Sequence, residues 1–310
     1  SENKDYSINE IARIISQDKD RYKIAHQEGI LEGIPTGNLL YCNAGNEELP
    51  VVGDWVKVTL MDHNQAVIHG VLQRRNALER KASGSASGKQ TMVANIDQAI
   101  IIQSADQDLN PNRLERYLAI VKEQHIEPLI IINKTDLPEK NEMVDLKSKI
   151  DQRFPDIPVY FMSCKTKKGF ESFSDELKKG MTYCFMGSSG VGKSTLLNLI
   201  LEKEIQATKS ISHSTSKGKH TTTRREIFIA PNGALIIDTP GMREVGLTTN
   251  KEIISVFPKI QTFAEKCRFN DCTHTNEPGC EVLKAMTDGK IDKQQYENFL
   301  KLIREEQHYT

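Results

Sequence analysis

Two different apolar rhythms divide the chain. Between residues 30 and 78, short segments such as PVVGDWVKVTL and AVIHGVLQRRN alternate apolar with polar residues, and Gly, Asn and Asp separate them. This alternation, with turn residues at regular intervals, is typical of a small all-β barrel. The stretch ASGSASGK, residues 82–89, has the small and flexible composition of a linker, so it predicts a domain boundary.

The second rhythm begins at residue 98. Apolar runs AIIIQ, LIIIN, VYFMS, YCFMG and ALIID alternate with amphipathic segments such as RLERYLAIVKEQ, which is the pattern of a parallel sheet flanked by helices. After residue 246 no further strand is evident, and the segments KEIISVFPKIQTFAEKC and DKQQYENFLKLIREEQ have helical apolar spacing. The sequence thus predicts a multidomain protein: an all-β barrel in residues 1–84, an α/β domain in 85–247 and a small α-helical domain in 248–310.

Composition narrows the possible partners and location. The 310 residues carry 41 Lys and Arg against 42 Asp and Glu, a net charge of -1, so any nucleic-acid contact must come from local basic patches. No run approaches the ~18 consecutive apolar residues of a membrane helix, and the start SENKDYSINE lacks the apolar core of a signal peptide. We therefore expect a cytoplasmic protein without membrane contacts.

A glycine-rich phosphate loop follows the apolar run TYCFM and precedes the helix former LLNLILEKE. In this context its glycines let backbone N–H groups wrap a phosphate, Lys193 neutralises phosphate charge and Ser194 offers its hydroxyl to Mg²⁺. The alternative is a glycine-rich turn with only a geometric role. The predicted nucleotide-binding residues of this loop are Gly187, Ser188, Ser189, Gly190, Val191, Gly192, Lys193, Ser194 and Thr195.

Two further loops choose the base. In the tetrad Asn133, Lys134, Thr135 and Asp136, the aspartate can accept both N–H donors of guanine, and adenine leaves such a buried carboxylate unsatisfied. We expect Asn133 to tie this loop to the phosphate loop and the stem of Lys134 to cover the base. The triplet Ser163, Cys164 and Lys165 follows the strand VYFM and predicts the second base-contacting loop. Taken alone, the tetrad could also be an Asx-type turn at a strand end, but with the triplet it predicts a GTP-binding protein.

The hydrolytic elements follow the phosphate loop. The motif DTPG ends the apolar strand ALII, so Asp238 is expected at the water shell of Mg²⁺ and the amide of Gly241 at the γ-phosphate. The polar stretch of residues 210–226 is interpreted as the first switch, in which Thr222 completes the Mg²⁺ coordination, with Thr221 and Thr223 as competitors. A hydroxyl-rich surface loop is the alternative.

A built-in water-orienting group is not evident. Met242 stands where other GTPases have an activating glutamine, and a thioether cannot orient water. His220 is the candidate replacement, either as a neutral acceptor or as a cation, although a histidine in such a loop can also be merely solvated. We therefore expect slow intrinsic hydrolysis that a partner accelerates.

The order of these motifs is reversed relative to most GTPases, because the base-reading loops precede the phosphate loop; the G domain is therefore circularly permuted. The chain also contains the motifs PVVGDWV, RLERYL, NKTDL, GSSGVGKST, GKHTTT and DTPGMREVGL and a cysteine cluster. In these motifs and their order, it resembles the circularly permuted, ribosome small subunit-dependent GTPases. These are bacterial factors associated with late maturation of the small ribosomal subunit. The departures are Cys164, where alanine is commoner, and Met242, where an aromatic residue is usual.

The resemblance implies an N-terminal OB-fold and action on the small ribosomal subunit with its 16S rRNA, as a monomer and without DNA. Arg74, Arg75, Arg80 and Lys81 would give the barrel a phosphate-binding edge, or else form a basic rim without a special role. Trp55 lies in the apolar segment VVGDWVKV and is predicted to be a core residue.

The cysteines point to a metal rather than to disulfides. Six cysteines are too few for a disulfide framework in a chain of this length. Cys267, Cys272, His274 and Cys280 provide three thiolates and one imidazole, the closed donor set of a structural Zn²⁺ site, with buried free cysteines as the alternative. Cys42, Cys164 and Cys184 are interpreted as ordinary thiols.

Two rival functions remain open from the sequence. Met242 is compatible with a non-catalytic, GTP-dependent RNA-binding scaffold, and a phosphate loop also occurs in kinases and ATPases. The scaffold hypothesis predicts that small subunits do not stimulate phosphate release. The kinase or ATPase hypothesis predicts that ATP competes effectively against GTP for binding.

Overall fold

A computed structural model describes most of the chain, namely residues 7–18, 21–41, 49–81, 89–106, 109–203, 225–238 and 250–307. The chain divides into two compact units, of which the first comprises residues 1–109 and 126–245 and the second 110–125 and 246–310. None of the helices in the described ranges combines the length and apolar character needed to span a bilayer.

Five strands close into the predicted N-terminal OB-fold barrel. They are β1 (Ile11–Asp18), β2 (Arg21–His26), β3 (Gly29–Pro35), β4 (Trp55–Met61) and β5 (Gln65–Val71), with helix α1 (Gly37–Tyr41) after β3. β1 pairs antiparallel with both β2 and β4, β2 pairs antiparallel with β3 and β4 with β5, and β3 pairs parallel with β5, so the ring is complete. Alternate residues such as Ile14, Ile24 and Ile68 are fully buried inside it, because successive side chains of a strand point to opposite faces.

A hairpin replaces the predicted interdomain linker. Strands β6 (Ala77–Lys81) and β7 (Lys89–Ala94) pair antiparallel with each other, so residues 82–88, which lie outside the described ranges, connect two strands of one hairpin. The linker interpretation is therefore wrong, since composition alone does not distinguish a hairpin connection from a linker between domains.

The α/β domain is built on a six-stranded sheet. Its strands are β8 (Gln98–Ser104), β9 (Glu127–Asn133), β10 (Val159–Phe161), β11 (Thr182–Met186), β12 (Arg225–Ile229) and β13 (Leu235–Asp238). They lie in the order β10-β9-β8-β11-β13-β12, and all neighbours are parallel except the antiparallel pair β12 and β13. Its helices are α3 (Lys140–Arg153), α4 (Phe170–Ser174) and α5 (Lys193–Leu201). Three strands that come early in the chain thus lie on one side of β11, and two later strands lie on the other.

The barrel and this sheet are joined in two places. Ser16 and Gln17 of β1 pair antiparallel with the first residues of β12. The buried guanidinium of Arg13 donates to Thr182 Oγ1 at 2.9 Å and to the carbonyl of Asn95 at 3.2 Å. Burial lowers the pKa of Arg13, although the nearby carboxylate of Asp97 opposes this. The barrel is therefore held to the sheet both by a strand pairing and by a buried polar contact.

Trp55 is not a core residue. Its ring is 44% exposed and lies over the guanidinium of Arg13, whose Cζ is 5.5 Å from the ring centroid. The prediction failed because the apolar neighbours of Trp55 point into the barrel while Trp55 itself points out. A cation–π contact stabilises the ring there without burying it.

The second unit is helical but draws on two parts of the chain. Its helices are α2 (Pro111–Glu123), α6 (Asn250–Ser255), α7 (Pro258–Ala264), α8 (Glu281–Thr287) and α9 (Lys293–Gln307). Helix α2 packs on α6 and α9. The buried carboxylate of Glu115 accepts hydrogen bonds from the amides of Gln295 and Asn298. The predicted helical domain is present, but the sequence analysis did not place α2 within it.

Two adjacent arginines of the predicted basic edge are engaged in ion pairs of different burial. Arg74 makes a two-pronged contact with the fully buried carboxylate of Asp54, at 2.9 and 2.8 Å. Arg75 pairs with Asp97 at 2.9 Å, but its side chain is 63% exposed. Arg74 therefore holds the barrel together rather than facing a ligand; the side chains of Arg80 and Lys81 lie outside the described set.

This contrast generates a stability prediction. Arg74→Ala leaves the buried charge of Asp54 uncompensated and is expected to lower the free energy of unfolding by ~3–5 kcal/mol. Arg75→Ala removes an exposed pair and should cost less than ~1 kcal/mol. Urea denaturation followed by the fluorescence of Trp55, the chain's single Trp, measures both. Equal losses in the two variants would contradict the assigned roles.

Candidate nucleotide and metal sites

The phosphate loop has the backbone that its glycines predict. It connects β11 to α5, and Gly187 and Gly192 have φ values of 147° and 102°. A Cβ atom on Gly187 would lie 2.4 Å from the carbonyl oxygen of Ile102, and one on Gly192 would lie 2.2 Å from Nδ2 of Asn133. Only glycine fits at either position, because a side chain would be strained and would also clash.

The ammonium group of Lys193 lies inside this loop. Its Nζ donates to the carbonyl oxygens of Gly187 at 2.7 Å and Ser188 at 2.6 Å. Ser194 and Thr195 follow in the first turn of α5. The loop thus presents a cation and a helix N-terminus, both of which attract phosphate.

Asn133 connects three loops that are distant in sequence. Its side chain is 2% exposed, its Nδ2 donates to the carbonyl of Val191 at 2.8 Å, and its Oδ1 accepts from the amide of Cys164 at 3.0 Å. The predicted tie between the Asn133 loop and the phosphate loop is confirmed. The same side chain also fixes the Ser163 loop, so all three motifs meet at one edge of the sheet.

The carboxylate of Asp136 is oriented by a serine. Ser163 Oγ donates to Asp136 Oδ1 at 2.6 Å and accepts from the amide of Thr166 at 3.2 Å. The neighbouring Thr135 is anchored through its amide to the carbonyl of Met162 at 3.2 Å. Asp136 is exposed and its side chain is held in place at the site, which suits a group that must meet a ligand from solvent.

Cys164 is a neutral thiol in this site. Burial raises its pKa to about 12, against the lowering effect of the Asn133 contact. At neutral pH the side chain is therefore protonated, and it occupies the position as a small, weakly polar group. With cysteine at this position, its amide still donates to Asn133 Oδ1. Lys165 is exposed beside it.

Lys134 is held by an acidic residue that the sequence analysis missed. Lys134 has a φ of 61°, and its Nζ lies 2.9 Å from Oδ2 of Asp106. Ser104 Oγ donates to the other oxygen of Asp106 at 2.6 Å. The position of Asp106 in the sequence could have indicated this contact. Asp106 closely follows the end of β8, at the same sheet edge where Asn133 ends β9.

The remaining predicted residues are only partly within the described ranges. Asp238 ends β13 and pairs across the ladder with Glu226 of β12, so it lies at the carboxyl end of its strand as expected. His220, Thr222 and Gly241 lie outside the described residues, as do Cys42, the competing threonines Thr221 and Thr223, and Met242.

The four predicted metal ligands come together in the second unit. The ligand atoms of Cys267, Cys272, His274 and Cys280 all lie within 4.8 Å of one another. Nδ1 of His274 is 3.6 Å from the sulfur atoms of both Cys267 and Cys280, which are 3.9 Å apart. A tetrahedral site with metal–sulfur bonds of about 2.3 Å has sulfur–sulfur edges of about 3.8 Å. The geometry therefore fits a four-coordinate metal ion.

The surroundings of the cluster fix its ligands in position. Tyr296 Oη donates to the backbone carbonyl of His274 at 2.7 Å, and the amide of Leu283 donates to Cys280 Sγ at 3.4 Å. Burial raises the pKa of the Cys272 thiol to about 12 and lowers that of His274. Without a cation these groups are neutral, so binding of a metal ion must release thiol protons.

Comparison with known proteins decides the family. The family model of the RsgA GTPase matches residues 71–248. The chain belongs to the RsgA GTPase family. Small ribosomal subunit biogenesis GTPase RsgA 1 of Bacteroides thetaiotaomicron is 39% identical over 96% of this chain and 83% of its own length. RsgA of Methanosarcina acetivorans is 42% identical over 83% of this chain and 69% of its own length.

Two solved structures share the fold. YjeQ from Thermotoga maritima aligns with a TM-score of 0.73 at 26% identity, covering 96% of this chain and 98% of that one. YloQ, described as a circularly permuted GTPase, aligns at 0.69 and 25% identity, covering 97% and 96%. The permuted fold, the hydrolysis of GTP to GDP and the use of Mg²⁺ thus follow for this chain from its RsgA GTPase family.

The metal cluster generates a second prediction. Cys272→Ser removes one ligand, and since loss of even an outer partner typically costs 10–100-fold in metal affinity, the variant should lose more than about 100-fold. Metal analysis of the purified chain, with a chelator competition, measures this. Cys164→Ser is the matched control, because Cys164 is partly buried but outside the cluster. Full metal content in Cys272→Ser would refute the assignment.

Proposed function

We propose that this chain is a GTP-hydrolysing assembly factor of the small ribosomal subunit, which it leaves after hydrolysis. The observation that carries this is the meeting of three loops around Asn133, in permuted order, within the fold of the RsgA family. The relatives from B. thetaiotaomicron and M. acetivorans are named small ribosomal subunit biogenesis GTPases. The cytoplasm is the location that this function requires.

The proposed base recognition uses the Asp136 carboxylate. Asp136 accepts both N–H donors of the guanine edge, and Ser163 keeps one of its oxygens oriented. The amide of Cys164 faces the guanine carbonyl, while the stem of Lys134 covers the base. Adenine offers the wrong edge to this carboxylate, so it is rejected through an unsatisfied polar group.

The proposed phosphate site consists of the loop from Gly187 to Thr195. Its backbone amides and Lys193 bind the β- and γ-phosphates. Ser194 and Thr222 would hold Mg²⁺, with Asp238 at its water shell; the ion neutralises charge on the phosphate oxygens. The present position of Lys193, bonded to two loop carbonyls, places its ammonium within the loop that would receive those phosphates.

The proposed hydrolytic step depends on a partner. Gly241 presents its amide to the γ-phosphate, and His220 orients the attacking water because Met242 cannot. Their alignment for hydrolysis is assigned to the bound ribosomal subunit, as in GTPases whose catalytic geometry a partner completes. Unassisted turnover should be near the Ras-like range of about 10⁻⁴–10⁻³ s⁻¹.

The other proposed partners follow from the remaining domains. We assign Zn²⁺ to the cluster, since three thiolates and one imidazole are its usual structural ligands and leave no open position for catalysis. The barrel is proposed to contact 16S rRNA. The chain is proposed to act as a monomer, with no role for DNA.

Replacement of Asp136 tests base recognition. Asp136→Ala should reduce the preference for GTP over ATP by at least about 100-fold, because a hydrogen-bonded site discriminates by up to about 10⁵. Competition of unlabelled ATP and GTP against a fluorescent GDP measures the preference. Asp145→Ala, an exposed carboxylate of α3, is the control. Unchanged selectivity in Asp136→Ala would remove the basis of the proposal.

Replacement of Asp106 tests the holding of Lys134. Asp106→Asn removes a partly buried ion pair worth ~1 kcal/mol, so GTP and GDP affinity should both fall about fivefold while kcat is unchanged. Equilibrium titrations and single-turnover hydrolysis measure the two quantities. Asp151→Asn, on the exposed face of α3, is the control. A lower kcat with unchanged affinity would show that Asp106 acts in another way.

Co-sedimentation tests the partner. Wild-type protein should pellet with purified small subunits in the presence of a non-hydrolysable GTP analogue, and not with GDP or with large subunits. Phosphate release should rise at least about 100-fold with small subunits, within the range by which partners stimulate such enzymes. Retention that ignores the nucleotide would contradict a hydrolysis-dependent release.

A further inference from the structure

A short arch in the second unit projects from the metal cluster. It comprises residues 268–271, which connect the ligands Cys267 and Cys272, and all four of its residues are exposed. The arch is pinned internally, since the amide of Arg268 donates to the carbonyl of Gly279 at 3.2 Å and that of Cys272 to the carbonyl of Phe269 at 3.3 Å. Both ends of the arch adjoin residues of the proposed metal site, so a bound ion would restrain its backbone from both sides.

Close packing under the arch requires a glycine. Gly279 has a φ of 83°, and a Cβ there would lie 3.0 Å from Cβ of Arg268. The glycine therefore permits Arg268 to lie against the loop that carries Cys280. A preorganised loop loses little conformational entropy on binding.

The arch presents a large aromatic ring to solvent. Phe269 is 42% exposed even though Cζ of Arg268 lies 5.5 Å from its ring centroid. In the described part of the second unit it is the one large apolar side chain among the exposed ones. Isolated exposed apolar residues are common, but here the ring stands on a rigid loop beside a planar cation.

The charges around the ring nearly balance. Exposed Arg268 and Lys266 supply two cations, and Lys266 Nζ lies 5.6 Å from the ring centroid of Phe263. Exposed Asp271 and Glu265 offset them. The carboxylate of Glu277 is engaged within the loop, where hydrogen bonds from Thr273 lower its pKa to about 2. A nearly neutral surface does not attract the backbone of a duplex strongly, so stacking must supply the affinity.

We propose that the arch is a stacking platform for an unpaired base of RNA, with the Phe269 ring against the base and Arg268 on the adjacent phosphate. Every base has a flat π face, and splayed-out bases in RNA loops stack on aromatic rings and guanidinium planes. The inference rests on the proposed action at the ribosomal subunit, which supplies the RNA. It adds a contact in the metal-containing unit to the one proposed for the barrel.

The test uses the full chain and a single-stranded RNA of about 12 nucleotides containing 2-aminopurine, a fluorescent base that stacking quenches. Phe269→Leu keeps apolar bulk but loses the π face, so affinity should fall about tenfold and the quenching should disappear. Phe269→Tyr should retain both within about twofold. Arg268→Gln should lower the salt slope of binding by about 0.7, the value for one phosphate of a single strand.

Matched variants keep the test specific. Val144→Ser removes an exposed apolar side chain of α3, and Lys293→Gln removes an exposed cation of α9; neither should change RNA quenching. Metal content and intrinsic GTP hydrolysis should equal wild type in all variants. Unchanged affinity and quenching in Phe269→Leu overturn the proposal. The proposal is also overturned if Phe269→Leu no longer co-sediments with the subunit but still binds the RNA normally, because the arch would then be a protein-binding surface.

The same experiments distinguish a failure of the proposed function from a failure of the arch assignment. If wild-type protein ignored small subunits in both nucleotide states, the assembly role would be lost, whereas the RNA titrations would still report on the arch itself. If wild-type co-sedimentation is normal and Phe269→Leu alone behaves as wild type with RNA, only the arch assignment is wrong.

Discussion

Both polar atoms of the Asn133 carboxamide form hydrogen bonds to neighbouring loops: Nδ2 donates to the carbonyl of Val191, and Oδ1 accepts from the amide of Cys164. A buried amide that loses either partner leaves a polar group unsatisfied, which costs about 1–3 kcal/mol. These two bonds therefore fix the spacing between the base-reading loops and the phosphate loop. They depend on which strand ends lie side by side, not on which strand comes first along the chain, so the site tolerates permutation.

Permutation also changes what is attached to the sheet. Ser16 of the barrel, Glu226 of β12 and Asp238 of β13 lie in one row across three neighbouring strands. At the opposite end of β11, Arg13 reaches Thr182. The barrel is thus bonded to the strand beside the one that ends at Asp238, and it is also anchored away from the nucleotide edge. The barrel therefore meets the sheet through a backbone pairing at one place and a buried side-chain contact at another.

The sequence predicted most of what is encoded locally and missed what depends on distant contacts. Glycine spacing and strand ends place the Asn133 and phosphate loops, because each motif carries its own backbone requirement. Trp55 was assigned to the core because it lies in an apolar segment, but it shares its strand face with Lys57 and Thr59, opposite the buried valines at 56 and 58. Asp106 was missed because a single acid carries no motif, and its partner Lys134 is remote in sequence.

The boundaries of the second unit could not be predicted from the sequence, because they depend on contacts between distant parts of the chain. The predicted domain starts at residue 248, yet Gln295 and Asn298 of α9 donate to Glu115 of α2, more than a hundred residues earlier. A fragment without α2 would expose two buried amides and lose the packing of α6 and α9 on that helix, leaving the metal cluster to hold a depleted core. Helix α2 joins β8 to β9. Asp106 closely follows the end of β8, and Asn133 is the last residue of β9. The element that completes the metal-binding unit is therefore inserted between two strands of the nucleotide site, and the two cannot be cut apart at one point in the chain.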